Sequence, residues 1–367
     1  MKKFFMMMIS CTILASFSGC DTGIKTLKRE PAAAGQTAAS AGGRVLVSAG
    51  TGQIAMIEAS DKNAKYPLYV PYSEIEKGVY ADKNIELLNQ PFLIAETELT
   101  NEAALMILQW AKSSGKLSSN PKDHNAVNEK WVKYGGQFLI HLADKKSDIE
   151  YSPAKGTFSV KPGKEKYPFT QINWFGAVMI CNWLTEMTDG NTNELVYSGM
   201  GEKWDNYGTK SNLKKKGFRL PENGEVIFAS RCIGSKKPAR GSLAKEYIAA
   251  NVNGGMNILT PGLYWLPGRY VSGAVEPYSN AAEALRVAVP RSEAPKPVAT
   301  KEKNALGLYD MGGNVDEWMN GFRDLCGHNF RELDGGTDLE RLQSGHKDYQ
   351  SAAATGHLLG MRLAKTR

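Results

Sequence analysis

The sequence predicts one α+β domain with little regular secondary structure, and three observations carry that expectation. Helical periodicity with capping residues is confined to three segments, runs of strand character are short and scattered, and loops rich in glycine and asparagine fill much of the 367 residues. Residues 44–367 hold no second linker and no repeat of the kind that marks solenoids or propellers, so they read as a single unit.

The N-terminus sets the compartment. Lys2 and Lys3 precede an apolar run from Phe4 to Phe17, followed by Ser18, Gly19 and Cys20. That order describes a secretory signal ending in a lipobox, and the run is shorter than the roughly 20 residues a membrane span needs. Residues 1–19 are expected to be removed and Cys20 to carry lipid. Phe17 stands where lipoboxes usually hold an aliphatic residue, so cleavage near Gly19 without lipid is the alternative. Residues 20–43 are rich in Ala, Gly, Ser and Thr without apolar periodicity, which makes them a flexible tether. The expected location is the bacterial cell envelope, lipid-anchored to a membrane and facing the periplasm or exterior.

With Cys11 and Cys20 set aside, Cys181, Cys232 and Cys326 remain, enough for one disulfide at most. The fold is therefore not a disulfide framework. The formal net charge is +7, with small clusters at Lys214 to Lys216 and Lys236 to Arg240. No base-stacking motif accompanies them, and nucleic acid is excluded as a partner.

The elements follow in chain order. Short strands are expected at Arg44 to Val47, Gln53 to Glu58 and Pro91 to Ile94. Thr100 can cap a helix that places Ala103, Met106, Ile107, Trp110 and Ala111 on one face. Asn173 can cap a second, with Ala177, Ile180, Cys181 and Leu184 as its buried stripe and Gly190 as its stop. A further strand is expected at Phe218 to Leu220, and Pro221 can open a third helix running to Arg231. Residues 267–303 carry five prolines and several charges and read as a surface insertion.

The segment Ala305 to Trp318, ALGLYDMGGNVDEW, combines a glycine turn with two acids seven residues apart. A turn at Gly312, Gly313 and Asn314 can fold Asp310, Glu317 and the intervening carbonyls onto one hard cation such as Ca2+. The competing account has Asp310 capping a turn and Glu317 in an ion pair, with Leu308, Tyr309, Val315 and Trp318 as core.

Four blocks fall in a recognisable order: PFLIAETELTNEAALMIL from Pro91, YPFTQINWFGAVMICNWLTEMTDG from Tyr167, GFRLPENGEVIFASR from Gly217, and ALGLYDMGGNVDEW from Ala305; LLGMRLAK then closes at Lys365. Together they resemble the sulfatase-modifying-factor, or formylglycine-generating-enzyme, family across nearly the whole domain. The resemblance implies a variant of the C-type-lectin-like fold that often holds structural Ca2+. Its implied ligands are the side chains of Asp310 and Glu317 with the backbone carbonyls of Gly313 and Val315. Asp316 departs from the family pattern, which usually has Trp there. A second implied site would begin near Asn251.

Active members of the family hold Cu(I) and the substrate thiol with two cysteines, soft ligands for a soft metal. The corresponding segment here, DGGTDLERLQSGHKDY from Asp334, has none, and Glu340 and Gly345 stand in their places. Copper is therefore not an expected cofactor. A related sulfoxide-synthase branch binds iron through histidines, but His124, His141, His328, His346 and His357 form no HxxxH pair. No nucleophile triad, phosphate-cradling loop or HExxH motif is present.

The expectation is a Ca2+-stabilised binding or structural module of the envelope without copper oxidase activity, whose partner is an envelope protein or a glycan. Glu340, Arg341, His346 and Tyr349 form its candidate ligand pocket. The alternative is a divergent oxidoreductase using a metal on His328, His346 and Glu340.

Overall fold

A computed structural model describes residues 90–200, 209–234, 239–243, 264–266, 269–290, 294–320, 342 and 347–367, with positions 28–30, 44–49, 52–60, 65–67, 85–88 and 328–332. Cys20, Asn251, Cys326, Glu340, Arg341, Gly345 and His346 lie outside the described residues, and His328 and Tyr349 are described as strand positions alone.

Six short strands form an antiparallel sheet in the spatial order Lys28–Glu30, Arg44–Ala49, Gly52–Ser60, Phe92–Ala95, Ala364–Thr366 and Phe218–Arg219. The last strand of the chain is thus inserted between two early ones, which closes the domain on itself. A second sheet runs Lys347–Ser351, His328–Glu332, Asp316–Trp318 and Leu359–Met361, with the final pair parallel. The expected strands at 44–47, 53–58, 91–94 and 218–220 all fall on observed ones.

Helix α1 (Asn101–Ser113) follows Thr100, whose hydroxyl accepts from the Ala103 amide at 3.4 Å. It buries Ala103, Ala104, Ile107, Leu108 and Ala111, while Met106 and Trp110 flank the core half-buried. Helix α2 (Trp174–Asp189) starts at Asn173, whose Oδ1 accepts from the Gly176 amide at 2.8 Å, and stops at Gly190 with φ +67°. The expected stripe is too narrow a description of α2, because thirteen of its sixteen residues are buried, as befits a helix wrapped by structure on all sides. A Cβ on Gly176 would lie 2.6 Å from the Leu139 carbonyl oxygen, so this glycine is what lets α2 rest on the hairpin Trp131–Tyr134/Gln137–His141.

Helix α3 (Asn223–Arg231) begins two residues after Pro221, which therefore does not occupy the first helical position. Glu222 flanks the helix instead, and its amide donates to Glu225 Oε2 at 2.8 Å. Glu225 is fixed in turn by buried Arg219, with Nη1 and Nη2 each 2.6 Å from a carboxylate oxygen. That bidentate pair holds Glu225 in the capping box it forms with Glu222 at the helix start.

Residues 267–303 do more than the expected surface insertion. Their helix α4 (Ala281–Val287) packs Ala284 and Val287 with Val271, Ala274, Ala288 and Leu342 into a small core of its own. Val289 then pairs with Gly313, laying the segment across the glycine turn. Cys181 and Cys232 are both buried and free. No helix among the described residues is long and apolar enough to cross a membrane.

Candidate functional site

The loop from Asn304 to Trp318 is shaped from within. Asn304 Oδ1 accepts from the Leu306 and Leu308 amides, both at 3.0 Å, and its Nδ2 donates to the Ala229 carbonyl at 2.9 Å. Four residues take positive φ: Gly307 at +93°, Asp310 at +53°, Gly313 at +91° and Asn314 at +62°. Asp and Asn are the side-chain-bearing residues that tolerate this best. At Gly313 no side chain fits, since a Cβ would sit 1.9 Å from the Val289 carbonyl oxygen.

The turn delivers Asp310 and Asn314 inward. Asp310 is buried, and its Oδ2 accepts from the Ala299 amide at 2.7 Å. Asn314 Oδ1 accepts from the Lys296 amide at 2.9 Å, which fixes its Nδ2 toward Glu98 Oε1, also at 2.9 Å. Glu98 lies between the strand Phe92–Ala95 and α1, 2 % exposed. Glu317, in the strand Asp316–Trp318, is paired in parallel register with Gly360. Two residues later Arg362 turns its guanidinium onto Glu317, with Nε 3.1 and 3.0 Å from the two carboxylate oxygens and Nη2 2.8 Å from Oε1. The remaining donors reach the Ala95 and Tyr309 carbonyls at 3.1 and 3.0 Å. One arginine thus ties the first sheet, the loop and the second sheet together.

The centre holds three buried carboxyl groups, Glu98, Asp310 and Glu317, against one guanidinium. Burial, then the charge of Asp310, pushes the Glu98 carboxyl well above the usual carboxylate range, with Arg362 opposing. Burial also raises Asp310, opposed by the Ala299 amide and Arg362. Burial disfavours the charged form of Arg362, but Glu317 outweighs it and holds the guanidinium above its ordinary value. Glu98 Oε2 and Asp310 Oδ1 are buried and receive no N–H, and a hydrogen bond between these two carboxyl groups favours the charged form of Asp310.

Of the expected cation ligands, Asp310, Gly313, Val315 and Glu317 are all buried in this centre. Asp310 shares a hydrogen bond with the Glu98 carboxyl, whereas both oxygens of Glu317 face Arg362. Among the described residues no three His, Cys, Asp or Glu side chains converge as a metal-holding group. Glu98 and Arg362 were not singled out by sequence reasoning, and Asn314 was named there only as a turn residue. Their signals were a glutamate just before a helix cap in ETELT, an asparagine inside the glycine turn, and a lone arginine in the apolar closing block LLGMRLA.

Of the other candidates, the described ones lie outside this centre. His141 stacks on Trp131 at 4.1 Å between ring centroids, and His357 Nε2 lies 3.1 Å from Lys146 Nζ. His328 is a strand position opposite Ser351, and Tyr349 is opposite Phe330. Burial pushes the Cys232 thiol up to about 12 and the Cys181 thiol higher still. Neither is poised as the thiolate that binds a soft metal.

Several small sheets, a fully wrapped helix and long fixed loops around a buried acidic turn define a domain of the formylglycine-generating-enzyme fold. Residues 29–367 match the family described as sulfatase-modifying factor enzyme 1-like domain, and the chain belongs to that family. Among solved structures it is similar to Treponema denticola variable protein 1, at 18% identity over 88% of this chain and 98% of that one, with a TM-score of 0.50. It is also similar to CarF, at 19% identity over 84% and 98% with a TM-score of 0.48. PvdO from Pseudomonas aeruginosa follows at 14% identity over 88% and 98%, with a TM-score of 0.45. No curated protein sequence matches the chain.

Proposed function

We propose that this chain is a lipid-anchored envelope protein that uses the family's scaffold as a Ca2+-stabilised binding or structural module and does not oxidise sulfatase cysteines. The observation that carries the reading is chemical: the segment Asp334 to Tyr349, where the family's copper-binding pair is expected, contains no cysteine. A carboxylate at Glu340 is a poor ligand for Cu(I), and Gly345 offers no side chain. The two described cysteines are buried away from that role, their thiols held protonated by burial. Loops on a rigid frame suit a binding role, because they can be rebuilt while the frame stays fixed. The partner class is an envelope protein or a glycan. The anchoring rests on the lipobox ending at Cys20.

The test is to incubate the purified protein with copper, oxygen and a cysteine-containing sulfatase peptide, and to follow formylglycine by mass spectrometry. No conversion is expected, and conversion above the copper-only background contradicts the reading. In cells, Cys20→Ser is expected to release the protein from the membrane fraction. Its retention there refutes the lipid anchor.

A further inference from the structure

The hairpin Trp131–Tyr134/Gln137–His141 has two unlike faces. Val132, Leu139 and Ile140 are buried in the main core. The outer face carries Trp131, Lys133, Phe138 and His141, which the register sets in facing pairs, Trp131 with His141 and Lys133 with Phe138. The three rings form a ladder. His141 lies flat on Trp131, with 4.1 Å between centroids and 7° between planes, and Phe138 leans on the same indole at 4.9 Å and 47°. Phe138 is 49 % exposed, the most exposed large apolar side chain among the described residues, while Trp131 and His141 are half-buried. A lone exposed apolar residue is ordinary, but three stacked rings on the outside of a sheet ask for a partner.

The ladder is held from behind. The His141 amide donates to the carbonyl of Gln171 at 2.9 Å, and Gln171 is a buried residue in left-handed backbone at φ +59°. The Phe138 carbonyl accepts from Nδ2 of Asn173, the residue that caps α2. At the hairpin turn the Gly135 amide donates to Asn125 Oδ1 and the Gly136 amide to the His124 carbonyl. The rings are therefore presented by fixed backbone, and a ligand that meets them does not have to order it.

Lysines surround the rings. Residues 121–146 hold five lysines and three acids. Asp123 accepts from Asn120 Nδ2 and Asp144 from the Lys146 amide, while Glu129 is exposed. Lys133 stands opposite Phe138 with its Nζ on the Pro121 carbonyl. The Leu142 and Ala143 amides both donate to the Lys130 carbonyl, which brings Lys130 up to the turn that carries Lys145 and Lys146. Size then decides the class of partner. A stable protein interface takes roughly 800 Å² from each side, more than one indole, one phenyl and one imidazole supply. A sugar ring covers one or two aromatic rings: its polarised C–H bonds meet the negative ring face, and its polar groups are left to the side chains around it.

We propose that this face binds an acidic glycan of the uronic-acid type, with a sugar ring on the exposed side of Phe138 beside Trp131 and sugar carboxylates met by Lys130, Lys133 and Lys145. The proposal rests on the binding-module reading above and narrows its partner from envelope protein or glycan to a carboxylated polysaccharide. The rings fix where a sugar sits. The lysines, each a point charge on a flexible stem, follow carboxylates along the polymer.

The experiment uses the chain from residue 20 onward with Cys20→Ser, in affinity electrophoresis through gels that contain polygalacturonate, dextran or no polymer. Polygalacturonate is expected to retard the protein and dextran is not, and the retardation is expected to weaken as salt rises from about 0.05 M to about 0.5 M. Phe138→Ala is expected to fold, because the tie to Asn173 runs through the Phe138 carbonyl, and to weaken polymer binding about fivefold or more, the scale of one lost ring contact. Phe138→Leu keeps apolar bulk without a ring face and is expected to lose as much, which separates stacking from simple burial. Lys130→Ala combined with Lys145→Ala is expected to weaken binding and to flatten its salt dependence. No retardation of the parent protein by polygalacturonate, or full retardation of both Phe138 variants, overturns the site. Equal retardation by dextran overturns the acidic assignment. Sedimentation with phosphatidylglycerol vesicles that is lost in Phe138→Ala, without polymer binding, makes the face a membrane contact and overturns the glycan. Conversion of the sulfatase peptide in the assay above would instead sink the binding-module reading, whatever these gels show.

Discussion

At Gly313 the backbone leaves no space for a methyl group. A Cβ there would meet the Val289 carbonyl oxygen at 1.9 Å, and the residue sits at φ +91°. Gly313→Ala is expected to cost about 3 kcal/mol or more in chemical denaturation, because overpacking and backbone strain act together. A loss below about 1 kcal/mol would show that the segment from Val289 yields easily. Arg362 makes a second sharp prediction: Arg362→Met leaves Glu317 buried without its guanidinium and is expected to cost about 3–5 kcal/mol. Cys232 offers a third. With its thiol pushed up to about 12 by burial, alkylation at about pH 8 is expected to spare Cys232 and Cys181 in native protein and to modify both in denaturant, as read by peptide mapping. At this scale the sequence revealed the two acids and the glycines of the turn, since their spacing is local. It did not reveal Glu98 or Arg362, because their meeting with the loop depends on pairing between segments far apart in the chain.

Among the elements, the two sequence-evident helix caps are not equal. Asn173 accepts from the Gly176 amide at 2.8 Å and also donates to the Phe138 carbonyl, while Thr100 accepts from the Ala103 amide at a long 3.4 Å. Asn173→Ala is expected to cost about 1–2 kcal/mol and Thr100→Ala about 0.5 kcal/mol, compared side by side in urea. Equal losses would mean that cap geometry does not govern these helix starts. Both helices were legible because capping residue and periodicity lie within one short stretch, with Gly190 marking the stop of α2 as well. The start of α3 was not, because it is set by Glu225 bound to Arg219 and not by Pro221. The reading of 267–303 as surface rested on proline and charge content. Composition does not disclose that the Lys296 and Ala299 amides grip Asn314 and Asp310.

Across the whole molecule, the order of the family-like blocks carried more than any periodicity could. The three-residue strand Ala364–Thr366 is too short to announce itself, yet it stitches the last residues of the chain into the first sheet. The fold is held by ties between distant segments. Trp174 Nε1 donates to the Met319 carbonyl and Trp318 Nε1 to that of Ile172, each at 2.9 Å, and Arg362 bridges both sheets and the loop. A scaffold fixed in this way needs no catalytic pair to remain folded, so loss of the copper cysteines and retention of the acidic turn are compatible. The central claim is that this chain keeps a structural Ca2+ site and has given up redox-metal chemistry. Elemental analysis of the purified protein, after equilibration with Ca2+, copper and iron and removal of excess, tests it most directly. The account predicts about one Ca2+ per chain and no retained copper or iron. Stoichiometric copper or iron that disappears in His346→Ala would contradict it.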